Sequence, residues 1–323
     1  MLRSVSTLVL DGLAIFEFGV ICEVFGIDRS ADGVPNFDFK VCGPEAGKPL
    51  RTSVGATLAP EYGLDALQGA DLVAIPAIGG TDYLPEALEA VRAAADAGSI
   101  ILTVCSGAFL AGAAGLLDGR PCTTHWMHAD DLARRYPTAH VDRNVLFVDD
   151  GNLITSAGTA AGIDACLHLV RRELGSEVTN KIARRMVVPP QRDGGQRQFI
   201  DQPIPVRCSE GFAPHLDWIM SNLDQPHTVT TLARRSAMST RTFARRFVEE
   251  TGTTPMQWIT DQRVLYARRL LEATDLDVDR IAGQAGFGTA TLLRHHFRRV
   301  IGVTPSDYRR QFSCGADETE ETA

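Results

Sequence analysis

No apolar run in the 323 residues approaches the roughly 18 that a membrane-spanning helix needs. None of the seven cysteines (Cys22, Cys42, Cys105, Cys122, Cys166, Cys208, Cys314) belongs to a CxxC pair, and their number is odd. The first absence excludes a helical membrane protein, and the second excludes a disulfide framework; scattered thiols fit a reducing compartment. Residues 1–7 lead straight into a strand-like run without the long apolar core of a signal peptide. The expected location is therefore the cytoplasm, away from any membrane. Cys122, His125 and His128 are close in sequence, but no fourth ligand cluster accompanies them, so neither a metal nor another cofactor is expected. Disorder is excluded too, because 44% of the residues are hydrophobic and only 22% charged.

Lysine is missing from one long stretch. Residues 209–312 carry 14 basic side chains, all arginine, against 11 acidic ones, a net of +3. Residues 1–208 carry 18 basic and 25 acidic side chains, and the last eleven residues add four acids, Asp317, Glu318, Glu320 and Glu321. The overall charge of −8 therefore hides a cationic segment, and a phosphate backbone responds to the local field, not to the sum.

The two halves follow different patterns. Residues 7–10, 37–41, 71–75 and 100–104 are strand-like and are separated by helical stretches such as 85–97, where Pro85 suits a first helical turn. Apolar strands alternating with helices predict a mostly parallel sheet covered on both faces. A hairpin is expected from 145–148 through the turn 149–152 to 153–155. From Pro189 the periodicity is lost, which divides the chain into a domain at 1–188, a linker at 189–213, an all-α domain at 214–312 and an acidic tail at 313–323. A packed extension of the first domain is the alternative for part of the linker.

The second half repeats itself. Phe243, Phe247, Thr254 and Pro255 recur fifty positions later as Leu293, Phe297, Thr304 and Pro305, with Ser239 answered by Thr289 and Trp258 by Tyr308. Upstream the offset is forty-nine, Leu232-Ala233 matching Ile281-Ala282 and Met238 matching Phe287, and one inserted residue, Gly288, accounts for the change. In the first repeat, Ser239 is placed to cap a helix on which Phe243 and Phe247 share a face. Arg241 and Arg245 lie roughly 200° around the axis from them. Such a helix anchors in a core on one side and offers bidentate guanidinium donors to guanine edges on the other. In the second repeat Thr291 and His295 hold the matching positions, so its readout is expected to be weaker. Arg294, Arg298 and Arg299 flank the second face as phosphate contacts, and Arg246 joins the DNA-binding set. Trp258 and Tyr308 are expected in the core.

Residues 215–312 resemble the AraC-type DNA-binding domain through Ser239 to Phe247, Gly252-Thr253-Thr254-Pro255, Gly286-Phe287 and Gly302-Val303-Thr304-Pro305. The resemblance implies two helix-turn-helix motifs joined by one helix, with base-reading positions at Arg241, Arg245, Thr291 and His295, and double-stranded DNA as the partner.

In the first half, Val104-Cys105-Ser106-Gly107 follows an apolar strand and opens a helical stretch. A thiol at such a turn lies near backbone N–H groups and a positive helix end, which predicts a stabilised thiolate. Glu17 and His125 are the side chains expected near it, and an inert buried cysteine is the plain alternative. Asp11-Gly12 with Glu17, the turn at Cys105, Thr123-Thr124-His125-Trp126 and Thr155-Ser156-Ala157-Gly158 resemble the DJ-1/PfpI superfamily over residues 4–188. By that resemblance Cys105 takes the reactive position and Glu17 the acidic one. Protease-like members have histidine directly after the cysteine, where this chain has Ser106. Together the halves resemble the GlxA-like branch of AraC-type regulators. That implies a transcription factor, not an enzyme, which dimerises through its first domain, takes a small-molecule effector and contacts RNA polymerase. A cysteine-dependent amidase, hydratase or glyoxalase, or a redox sensor at Cys105, is the alternative.

Overall fold

Successive side chains of a strand point to opposite faces, and the apolar runs of the first half use this to build two cores from one sheet. The computed structural model describes residues 2–80, 82–190, 195–196, 212–251 and 253–312. It contains two compact units, Met1–Gln196 and Arg197–Ala323.

The strands of the first unit are β1 (Ser4–Leu8), β2 (Asp38–Cys42), β3 (Leu50–Arg51), β4 (Thr57–Leu58), β5 (Leu72–Ile75), β6 (Ile100–Val104), β7 (Pro121–Cys122), β8 (His140–Val141), β9 (Phe147–Asp150) and β10 (Leu153–Ser156). Six of them form one sheet in the order β2-β1-β5-β6-β10-β9. All neighbours pair parallel except β10 with β9. Helices α1 (Ile15–Ile21), α2 (Pro85–Asp96), α3 (Gly107–Ala113), α4 (Ala129–Arg135) and α5 (Ala160–Arg185) cover the sheet. Leu8, Val73, Ile75 and Ile101 face α2 and α3, packing on Val91, Ala94 and Leu110. Val5, Leu72, Ala74, Leu102 and Val104 face α1 and α5, packing on Val20, Ile21, Cys166 and Val170. A mixed α/β domain with a mostly parallel sheet is thus present as expected.

Local edges differ. β1 starts at Ser4, not Thr7, because the amides of Arg3 and Ser4 donate to Asp71 Oδ2 at 2.7 and 2.9 Å and tie the chain to β5 earlier. The hairpin turn is tighter than expected. Only Gly151 and Asn152 lie between the strands, with Gly151 at φ +74°, while Arg120 donates to Asp150 Oδ2 at 2.5 Å and to Asn152 Oδ1 at 2.8 Å. Gln196 is packed into this unit, accepting from Trp126 N at 2.7 Å and donating to Val145 O at 2.9 Å. Residues 191–194 and 197–211 of the linker, and the tail 313–323, lie outside the described residues.

The second unit comprises α6 (Ala213–Met220), α7 (Val229–Arg235), α8 (Thr240–Thr251), α9 (Pro255–Ala273), α10 (Val278–Gln284), α11 (Ala290–Ile301) and α12 (Pro305–Phe312). The duplication is visible in the caps. Ser239 Oγ accepts from Thr242 N ahead of α8, and Thr289 Oγ1 from Leu292 N ahead of α11. Thr254 Oγ1 accepts from Gln257 N before Pro255, as Thr304 Oγ1 does from Asp307 N before Pro305. Each repeat closes its own core. Phe243, Phe247 and Trp258 pack with Phe212 and Leu232, and Leu293, Phe297 and Tyr308 pack with Ile281 and Val264. Truncating such a buried phenylalanine costs about 3–5 kcal/mol, so each core contributes substantially to its own repeat.

Candidate functional site

Between β6 and α3 the chain turns through Cys105 at φ +55°, a left-handed conformation that costs a non-glycine residue about 1 kcal/mol or more. The surroundings hold it there. Cys105 N donates to Ser156 O at 3.0 Å, and the Thr124 hydroxyl donates to Cys105 O at 2.7 Å. A Cβ on Gly158 would stand 2.1 Å from Cys105 Cβ, and one on Gly107 would stand 2.5 Å from Ile75 O, so neither position tolerates a side chain. Ser106 turns away from the thiol, its Oγ donating to Ile78 O at 3.1 Å and accepting from Ile78 N at 3.2 Å.

Glu17, on α1, is buried at 6% exposure. Its carboxylate acts on both Cys105 and His125 electrostatically, but no hydrogen bond joins any two of the three among the described residues. The expected thiolate is corrected by this environment. Burial, reinforced by the charge of Glu17, pushes the Cys105 thiol up to about 11, and the hydrogen bond from Ser106 N opposes them only in part. Low dielectric disfavours the charged form more than the helix end favours it. Burial also holds the His125 imidazole below its ordinary range, helped by His128 and opposed by Glu17. His125 Nδ1 accepts from Met127 N at 3.3 Å. Cys122 is fully buried, and among the described residues no group of three His, Cys, Asp or Glu side chains is arranged to hold a metal ion.

The second constellation is on the outside of the second unit. Phe243 and Phe247 are fully buried, whereas Arg241 and Arg245 on the same helix are exposed. Among the described residues Arg245 is held only by a loose pairing of Nε with Glu249 Oε1 at 3.7 Å, its side chain 73% exposed. Arg241 has no side-chain partner among the described residues. α11 has the same division: Leu293 and Phe297 are buried, and Thr291, Arg294, His295 and Arg298 are exposed. Arg246 differs from its neighbours, half-buried with its guanidinium 5.9 Å from the Phe212 ring centroid. His295 meets His296 edge-on at 5.1 Å, and His296 in turn stacks on Phe287. Burial and the charge of Arg299 hold His296 below its ordinary range.

Sequence reasoning quoted Thr124 and Gly158 only within resemblance motifs and gave them no part in the cysteine turn, where the fold sets the Thr124 hydroxyl on Cys105 O and Gly158 against its Cβ. It also missed Arg263, whose guanidinium is bonded inside the second unit. Its signal in the sequence is weak, because the same helix also carries Asp261, Arg268, Arg269 and Glu272.

Residues 3–172 match the DJ-1/PfpI family model, and residues 232–311 match a helix-turn-helix domain model. The HTH-type transcriptional regulator Rv1931c of Mycobacterium tuberculosis is 31% identical over 269 residues, 75% of this chain and 96% of that protein. The HTH-type transcriptional regulator GlxA of Rhizobium meliloti is 30% identical over 217 residues, 64% of each. Isonitrile hydratase of Pseudomonas putida is 32% identical over 145 residues, 44% of this chain and 62% of the enzyme. Among solved structures, an AraC family transcriptional regulator from Pseudomonas putida has a TM-score of 0.50 at 21% identity, covering 57% of this chain and 99% of that one. The DNA-binding domain of AdpA, solved with a target DNA, is 47% identical over 32% of this chain and 93% of that domain, with a TM-score of 0.31. No helix among the described residues is long and apolar enough to cross a membrane.

Proposed function

The chain belongs to the DJ-1/PfpI family and is a DNA-binding transcriptional regulator of the helix-turn-helix type, and from that premise we propose that α8 and α11 are its two recognition helices. In this reading Arg241 and Arg245 take the base edges of one major-groove segment. An exposed guanidinium on a well-anchored helix presents two parallel donors to guanine O6 and N7. Thr291 and His295 take the second segment with fewer donors, and Arg294 and Arg298 hold phosphates. Arg246, nearer the core, contributes charge at the margin of the first segment.

The observation that carries this reading is the division of α8, with both phenylalanines fully buried and both arginines exposed. The test uses duplexes recovered from a random pool by the full-length protein. Arg241→Ala is expected to cost about 1–3 kcal/mol at one base pair and to relax preference there. Parent-like affinity and preference would remove Arg241 from the reading.

The first unit serves as a dimerisation and effector-binding module and catalyses nothing. A thiol pushed up to about 11 is almost wholly protonated near neutrality, and the thiolate is the nucleophile. The residue after it, Ser106, is occupied with Ile78. A dimer in the cytoplasm would bring two second units to one duplex, so that the second contact forms at high effective concentration. RNA polymerase and a small-molecule effector complete the set of partners.

A further inference from the structure

Three parts of the second unit meet at one guanidinium. Arg263, on α9 between the repeats, donates from Nε to Leu223 O at 2.8 Å and from Nη2 to Gln225 O at 2.7 Å. Both carbonyls lie in the loop between α6 and α7, in the first repeat's half. From the other side Gly286, in the turn of the second repeat, closes over the same point. A Cβ there would stand 2.2 Å from Leu223 O, 2.8 Å from Arg263 Nε and 3.0 Å from Arg263 Cζ.

The duplication supplies an internal control. The counterpart of Gly286 (φ +77°) is Ala237, which also has a positive φ, +51°. An alanine therefore sustains the left-handed turn of a repeat, and the backbone angle does not by itself demand glycine in the second. The close approach to Arg263 and Leu223 does. Burial draws the Arg263 guanidinium below its ordinary value while Asp224 pulls the other way, and the fork stays charged, since arginine does not deprotonate in proteins. A second tie crosses nearby, Arg299 Nη2 donating to Gln257 Oε1 at 3.3 Å between α11 and α9.

We propose that Arg263 is a positioning residue for DNA binding: its bonds to Leu223 and Gln225, with Gly286 packed against it, set the angle between α8 and α11. That angle fixes the distance between the two groove segments the protein reads. The inference rests on α8 and α11 being recognition helices. A rigid joint lets the second contact form without a further search, whereas a loose one loses that advantage.

The experiment uses the full-length chain and duplexes recovered from a random pool. One duplex keeps both segments, one has the α11 segment scrambled, and one has a base pair inserted between the segments. For Arg263→Ala, affinity for the two-segment duplex is expected to fall about tenfold or more, with scrambled-duplex affinity within about twofold of the parent and the insertion no longer discriminated. Arg263→Lys, which retains the charge but not the fork, should fall between. Gly286→Ala should reproduce the loss of spacing preference with Arg263 intact. An unchanged preference against the inserted base pair in Arg263→Ala would overturn the proposal, as would an equal loss on all three duplexes. If the parent itself does not distinguish the scrambled duplex from the intact one, it is the assignment of α11 as a recognition helix that fails.

Discussion

The turn at Cys105 and the outer face of α8 each gather side chains with chemistry to offer, and their surroundings treat them in opposite ways. At the turn a nucleophile on strained backbone is within electrostatic reach of a carboxylate on α1, which also acts on an imidazole, yet burial and that like charge push the thiol up to about 11. On α8 the arginines lie on ordinary helix, strain nothing and face water. The backbone at the turn is specialised while its charge chemistry is suppressed; at α8 the backbone is generic and the charge is available. Burial holds the thiol back at neutral pH, whereas the guanidinium groups are charged by residue type and their exposure leaves them free to meet a partner.

The sharpest way to break this contrast is at Gly158. Gly158→Ala places a Cβ against Cys105 at a position with φ +78°, and is expected to cost about 4 kcal/mol or more, or to prevent folding. Thermal unfolding of the full chain measures it, and a loss below about 1 kcal/mol would show that the turn is not rigid. Next in size is thiol chemistry. With a midpoint moved from 9.0 to about 11, alkylation of Cys105 at pH 8 should run about a hundredfold slower than for an ordinary thiol. Below the midpoint the thiolate fraction grows about tenfold per pH unit, so the rate should keep climbing toward pH 11. Glu17→Gln removes a charge that raises the midpoint and should lower it. Mass spectrometry of the Cys105 peptide gives the rates, and a plateau near pH 7 would restore the thiolate and with it a reactive role. The smallest effect belongs to the second repeat. Thr291→Ala should cost less than about 1 kcal/mol on the recovered duplex, compared with the larger loss for Arg241→Ala; equal costs would mean that the repeats share the readout evenly.

Much of this was legible in the sequence where the signal was local and periodic. The fifty-residue repeat, the apolar faces of α8 and α11 and the threonine–proline helix starts all depend on neighbours within a turn or two. Strand edges were less legible, because Asp71 sets the start of β1 from 67 residues away. The sign of the shift at Cys105 was misjudged for the same reason. The favourable helix end is written next to the cysteine, whereas the burial and the Glu17 charge that outweigh it come from α1 and the sheet.

By itself the amino-acid order determined the two kinds of architecture, the duplicated helix pairs and the placement of guanidinium groups opposite their aromatic anchors, since spacing along a helix converts directly into direction. Only the tertiary structure decided the protonation of the thiol, the requirement for glycine at 158 and 286, and the meeting of Arg263 with two carbonyls of the loop between α6 and α7. Those depend on distances between segments far apart in the chain, and the electrostatic and steric energies involved change steeply over a few ångströms.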